Sequence, residues 1–352
     1  MFGFAGLIFA AAAVRLLGAT WQYLVEGEVA VAMASAAGFM IVLSLAVRCA
    51  LWLTVQAPGP AGIRIPREAA EPLHRLVERM GERFGRVPVD AVWVGGDMNA
   101  AILQRPRWGW IGPMETHLII GLPLAHSVSR RQFGAILAHE FAHLAHQRQR
   151  LDAWGAHVRA WWFRVMDRCI EASPRFGRGL ERWCAGDLRD ALRLARLEEF
   201  QADALAAGAV GARLVGETLV EIALKERFLS EDYWCKVMAQ SRNQPQPSIR
   251  PYREMGHGMM AGFRRPLPGL FDLRGWVGNG DSASSVGSFH PTIAERLRAL
   301  GVRPQVPHGA PLSFADAYLG PLLPTLAWVF DRAWWLDSRV AWRRCYQLSQ
   351  LV

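Results

Sequence analysis

The residues most capable of chemistry lie at 139–143, 199–203 and 290 of a 352-residue chain. His139-Glu140-Phe141-Ala142-His143 has the spacing H-E-x-x-H. On an α-helix, positions four apart share a face, so both imidazoles can reach one zinc ion. Glu140 is turned about 100° from His139, which leaves it beside the ion rather than on it. From there it can take a proton from water that the ion polarises. A catalytic zinc site also needs a third protein ligand and one open position. One class of zinc peptidases draws that ligand from a His ten residues after the first, with Gly at the seventh. Here those positions hold Gln149 and His146, so that pattern is absent. A Glu on a later helix is the other common source, and Leu197-Glu-Glu-Phe-Gln-Ala-Asp203 offers two. Glu199 and Asp203 are four apart on one helical face, so one carboxylate can bind zinc while the other orients a ligand imidazole. Glu198 is the rival ligand by composition, but its i+4 partner is Ala202, which favours Glu199. Taken singly, the pentapeptide also reads as a chance feature of an amphipathic helix, and the acidic pair as a solvated face.

Together these phrases resemble the M48 family of membrane zinc metallopeptidases, of the Ste24 and HtpX type. Leu118-Ile-Ile-Gly-Leu-Pro-Leu124 and Phe133-Gly-Ala-Ile-Leu-Ala-His-Glu-Phe-Ala-His143 are similar to that family's strand and metal helix. Glu199-Phe-Gln-Ala-Asp203 matches its E-x-x-A-D motif, and Ser288-Phe-His-Pro-Thr292 followed by Glu295-Arg296 resembles its late S-x-H-P-x-x-x-E-R segment. Met98-Asn-Ala-Ala101 stands where the family has an Asn-Ala-x-Ala strand beside the substrate. The resemblance runs over roughly 66–300. It implies one Zn2+ held by His139, His143 and Glu199, Glu140 as the base and Asp203 behind the ligands. It also implies that His290 donates to the developing oxyanion, and that Asn99 and Ala100 mark an edge strand that pairs with an extended peptide. Without the family, His290 is an ordinary histidine before Pro291. Arg296 reads as a structural ion pair rather than a substrate contact. Two His and one Glu suit zinc best but admit other divalent ions.

The elements that must position these residues follow from patterning. Val29 to Val47 is 19 residues without a charge, and Phe2 to Val25 makes a second apolar segment interrupted by Arg15. About 20 apolar residues span a bilayer core as a helix. One or two transmembrane helices are therefore expected within 1–56, closed as a hairpin near Glu26-Gly27-Glu28. No positive charge precedes the apolar run as a signal peptide would require. Glu26 and Glu28 flank one end of the second span and Arg48, Arg64 and Arg67 the other, which places everything after residue 56 in the cytoplasm of a cell with an inner membrane.

Beyond a Pro/Gly linker at 57–62, Arg67 to Phe84 has helical apolar spacing at Leu73, Leu76, Val77 and Met80. Val87–Val94, Ala100–Leu103 and His117–Gly121 read as short strands, and Arg130 to about 240 as mostly helix. The stretch 242–287, rich in Pro, Gly, Ser and Asn, lacks a clear period and reads as a long flexible loop or lid. Residues 144–198 are charged throughout, so the second transmembrane hairpin of several family members is absent. Trp154, Trp161, Trp162 and Phe163 among Arg159, Arg164 and Arg168 read either as an interfacial amphipathic helix or as a core helix with snorkelling arginines. Leu319 to Phe330 is too short to span, and with Trp334, Trp335 and Trp342 it reads as helices packed on the domain or on the membrane surface.

Composition agrees with this class. Hydrophobic residues make up 51% and charged residues 20%, which excludes a wholly disordered chain. Five cysteines without a C-x-x-C point to neither a disulfide framework nor a cysteine zinc site. The net charge of +9 comes from arginines interleaved with acids, so no nucleic-acid partner is indicated. The fold expected is mainly α with a small β-sheet (α+β): a zincin-like domain over 57–352 behind an anchor at 1–56. The function expected is a membrane-anchored zinc endopeptidase acting on proteins or peptides. A self-processing latent protease and a catalytically silent membrane adaptor are the alternatives. The oligomeric state is left open.

Overall fold

The computed structural model describes residues 2–53, 59–107, 113–146, 150–172, 179, 182, 185–264, 290–303, 305 and 312–350. The chain is an α+β protein, mainly helical with one small sheet, behind two apolar N-terminal helices. It divides into two compact units. One comprises Met1–Pro58, Arg105–Pro113 and Ala153–Asp187; the other comprises Gly59–Gln104, Met114–Asp152 and Leu188–Val352.

In the first unit, helices α1 (Phe2–Val25) and α2 (Val29–Leu53) are joined by a turn in which Gly27 has φ 80°. At about 1.5 Å per residue each is long enough to cross a hydrocarbon core. Small residues let them approach: Ala13 and Ala32 are buried, and the Ser35 hydroxyl donates to the Leu16 carbonyl at 3.2 Å.

The second unit holds the candidate site. Strand β1 (Ile63–Ile65) is followed by helix α3 (Glu71–Arg83) and strands β2 (Ala91–Gly95), β3 (Ala100–Pro106) and β4 (Met114–Gly121). The sheet order is β1-β2-β4-β3. β1 runs antiparallel to β2, with Ile63 opposite Val94. β2 runs parallel to β4, from Ala91 opposite His117 to Gly95 opposite Gly121. The two central strands read as near-continuous apolar runs because both their faces are covered. Among the described residues β3 is left as an edge. β4 ends at Gly121, whose N–H bonds the Asn99 carbonyl at 2.7 Å and where a Cβ would overlap the Asp97 carbonyl.

Helix α4 (Leu122–Ser127) then leads to α5 (Arg130–His146), the segment carrying the H-E-x-x-H spacing. A reciprocal cap starts α5: the Ser129 N–H donates to the Gln132 side chain at 2.8 Å, and the Gln132 N–H to the Ser129 hydroxyl at 3.3 Å. Phe133, Leu137, Ala138 and Phe141 of α5 are fully buried, and Phe141 stacks on Phe84 beyond the end of α3. The chain continues through α6 (Arg150–Ala172), α7 (Ala185–Val210) and α8 (Ala212–Phe228). A π-turn at Leu229–Tyr233 precedes α9 (Trp234–Ala239), and α10 (Pro251–Arg264), α11 (Ile293–Ala299), α12 (Phe314–Leu319) and α13 (Leu323–Ser349) complete the order.

Several details differ from the sequence reading. Strand β2 begins at Ala91 rather than Val87, and β1 is an additional strand. Within 242–287, which showed no period, Pro251–Arg264 is a helix; residues 265–289 lie outside the described ones. The tail is one 27-residue helix, because Pro324 sits in its first turn, where no intrahelical N–H is needed. Of the two readings of that tail, packing on the domain holds for Trp342, which is fully buried, clusters with Trp334 and Trp335, and donates its indole N–H to the Gln244 carbonyl at 2.9 Å.

Candidate metal centre

One turn of α5 and one turn of α7 converge. His139 Nε2 and His143 Nε2 are 3.2 Å apart. Glu199 of α7 brings Oε2 to 3.4 Å from His139 Nε2 and Oε1 to 3.5 Å from His143 Nε2. The three donor atoms lie within 4.8 Å of one another, and among the described residues this is the one group with metal-ligand composition at such spacing. The fit to a tetrahedral zinc ion is direct: ligands about 2.0–2.1 Å from the metal stand about 3.3 Å from each other. Glu199 Oε2 is buried and accepts no hydrogen bond among the described residues, as a donor atom reserved for a cation would be.

A second layer fixes these groups. Asp203, one turn after Glu199, places Oδ1 3.0 Å from His139 Nδ1. That contact takes the Nδ1 proton and leaves the Nε2 lone pair toward the centre. Arg296 of α11 grips Asp203 with two bonds, Nε to Oδ2 at 2.7 Å and Nη2 to Oδ1 at 2.6 Å, while its Nη1 lies 3.4 Å from Glu199 Oε2. The ion-pair reading of Arg296 thus takes a specific form. α11 is itself held by a capping box between Thr292 and Glu295, and Arg196 of α7 forks onto the Glu295 carboxylate at 2.8 and 2.7 Å.

The charges answer one another. Burial favours a neutral His139, but the Asp203 and Glu199 carboxylates overcome it and raise its pKa to about 9. Burial works against a charged Glu199 as well, yet its contacts with His139, His143 and His290 hold it far below the usual carboxylate range. Asp203 is lowered in the same way, against burial, by Arg296 and His139. The arrangement that favours a proton on His139 equally favours a cation beside it.

Glu140 stands next to the cluster. Burial raises its pKa, and it accepts the backbone N–H of Ile102 at 3.1 Å through Oε2. That bond ties the carboxylate to the edge of the sheet. Asn99 turns its carbonyl inward to Gly121, so by strand alternation the backbone groups on the open edge belong to Ala100 and Ile102. A cavity of about 620 Å³ runs along this edge, with Asn99, Ala100, His139, Glu140, His143 and Glu199 in its wall. Apolar side chains of α5 and α8, among them Ile136, Val215, Leu219 and Ile222, line the rest.

His290 is 71% exposed, and its Nδ1 lies 3.0 Å from Glu199 Oε1. Glu199 raises its pKa. The structure therefore brings all eight residues singled out by sequence to one cavity wall, with His290 turned onto the Glu199 carboxylate. The sequence reading missed the Ile102 contact and the Arg196–Glu295 fork. Both join residues 38 or more positions apart; only the Thr-x-x-Glu cap at 292–295 left a local signal.

Comparison with known families gives a match to the model of Peptidase family M48 over residues 114–303. The match includes His139, Glu140, His143, Glu199, Asp203, His290 and Arg296, and begins after Asn99 and Ala100. No curated protein matches the chain.

Proposed function

The chain belongs to peptidase family M48, and from that premise we propose that it is a membrane-anchored, zinc-dependent endopeptidase whose site is the α5–α7 cluster. The observation that carries the reading is the convergence of two imidazole nitrogens 3.2 Å apart with a buried carboxylate whose Oε2 accepts no hydrogen bond among the described residues. His139, His143 and Glu199 would hold the ion, with Asp203 and Arg296 fixing His139 and Glu199. Zinc, when bound, supplies Lewis acidity toward a peptide carbonyl and toward water.

The chain's own residues do the rest. The open edge of β3 holds an extended peptide by backbone hydrogen bonds, Ala100 being its outward-facing residue. Glu140 takes one proton as water adds to the scissile carbonyl, and delivers it to the amine as the C–N bond breaks. Its burial suits this exchange, because a carboxylate raised toward neutrality both accepts and returns a proton at moderate pH. His290, whose pKa Glu199 raises, would have its second ring nitrogen as a donor for the carbonyl oxygen as negative charge develops there.

The membrane part of the proposal rests on α1 and α2, which hold apolar windows of 18 and 20 residues at Ile8–Val25 and Val29–Arg48. We assign 1–56 as the anchor and 57–352 as the peptidase domain. The Arg48, Arg64 and Arg67 side of α2 would face the cytoplasm of the inner membrane. The test is hydrolysis of unfolded casein by detergent-purified protein before and after a zinc chelator, with zinc added back. Loss and recovery of cleavage support the proposal; cleavage indifferent to the chelator refutes it.

A further inference from the structure

Helix α13 is buried along one side, at Leu326, Ala327, Asp331 and Trp342. The opposite side has an unusual composition for a surface facing water. At 100° per residue, Trp328, Arg332, Leu336, Arg339, Val340 and Arg343 fall within an arc of about 120°. Trp328 is 54% exposed, Leu336 50% and Val340 72%. The three arginines are exposed as well, and Arg332 lies over the Trp328 ring at 5.7 Å. No carboxylate falls in the arc; Asp337, the exposed acid of this helix, lies about 60° outside it. Single exposed apolar residues are ordinary. A stripe of them interleaved with guanidinium groups and free of carboxylates is the pattern of a helix lying in a bilayer interface.

A second observation adds a pocket for a headgroup. A cavity of about 320 Å³ opens beside Trp328, lined by Arg250, Arg253, Arg332 and Trp335 around Asp331. Asp331 is buried and accepts the Tyr252 backbone N–H at 2.8 Å, so it serves the start of α10. Three guanidinium groups against one buried carboxylate leave the pocket positive. Their planar forks match phosphate oxygens, and tryptophan favours the depth at which those phosphates lie.

We propose that this face of α13, with Arg250 and Arg253, docks on an anionic phospholipid bilayer, the headgroup phosphate entering the arginine pocket. A second copy of the chain is the poorer occupant, because a two-fold contact would set the same arginines against each other without a carboxylate between them. The proposal rests in one respect on the membrane reading above, since α1 and α2 would bring the chain to a bilayer. Docking is nevertheless a separate contact and is tested separately.

The experiment uses the full chain in nanodiscs of phosphatidylcholine with or without phosphatidylglycerol, in which the acyl chains carry bromine. Comparison with Trp328→Phe isolates the emission of Trp328. The expected result is quenching of that component in phosphatidylglycerol discs. The quenching should weaken in high salt and be lost in the triple variant Arg332→Glu, Arg339→Glu, Arg343→Glu. Flotation with vesicles, unchanged in every variant, tests the anchor independently. Unquenched Trp328 in the wild type overturns the proposal, as does equal quenching in the triple variant. So does a Trp328 shielded from iodide in detergent only as the chain dimerises.

Discussion

Ile102 donates its backbone N–H to Glu140 Oε2 at 3.1 Å, joining the edge of the sheet to the carboxylate that stands beside the two metal-helix imidazoles. In the proposed mechanism one strand would serve two ends: it would offer an edge to an extended peptide and aim the group that handles the proton. The contact also opposes burial, since it favours the charged carboxylate.

Removing that donor should therefore act on proton transfer more than on metal binding. Ile102→Pro is tolerable on an edge strand. It should keep its zinc, lower kcat and move the acidic limb of the pH–rate profile to higher pH, because Glu140 loses a hydrogen bond that depresses its pKa. A profile that keeps its acidic limb in place would sink the assignment of Glu140 as the titrating base.

Asp203 bonds His139 Nδ1 on one side and Arg296 on the other. Asp203→Asn keeps the shape and discards the charge. Zinc affinity should fall about 10–100-fold, the usual effect of losing a partner behind a ligand imidazole. Competition with a chromogenic chelator measures it, and an unchanged affinity would show that Asp203 does not orient the ligand.

The pH dependence of stability has a definite sign in chelated protein. His139 has a pKa of about 9, above the 6.5 or so of an unfolded histidine. Its protonated pair with Asp203 and Glu199 stabilises the fold fully below about pH 6.5, and that contribution is lost as pH rises through 9. The Tm of chelated protein should fall across this window, while zinc-loaded protein, whose His139 is held by the ion, should fall less. Parallel curves for the two forms would contradict the arrangement.

Phe141 lies between the two histidines on α5, fully buried and stacked on Phe84 at 6.4 Å between ring centroids. Phe141→Ala should cost about 3–5 kcal/mol of stability by opening a cavity. It should also lower bound zinc, because the same turn sets both imidazoles. Denaturant unfolding with metal analysis of the folded fraction checks both.

What the sequence made legible was local. His139 and His143 share a face by spacing alone, and Glu199 with Asp203 likewise, so each pair was visible without knowing how α5 meets α7. The choice between Glu198 and Glu199 rested on the i+4 partner, and the structure puts the Glu199 carboxylate with the imidazoles. Helix α10 was hidden by Gly256 and Gly258, which read as breaks. A Cβ at 256 would press on the His126 ring and one at 258 would overlap the Tyr233 ring, so these glycines serve close packing rather than turning the chain. β1 was hidden because three residues are too few to show alternation, and its pairing with Val94 is long-range.

The measurement closest to the central claim compares wild type with Glu140→Gln for zinc content and for hydrolysis of casein. Under the proposed assignment Glu140 would stand beside a bound zinc and not on it, so both proteins should hold about one zinc and the wild type alone should cleave. Equal cleavage by the two, or absence of zinc from both, would contradict the account.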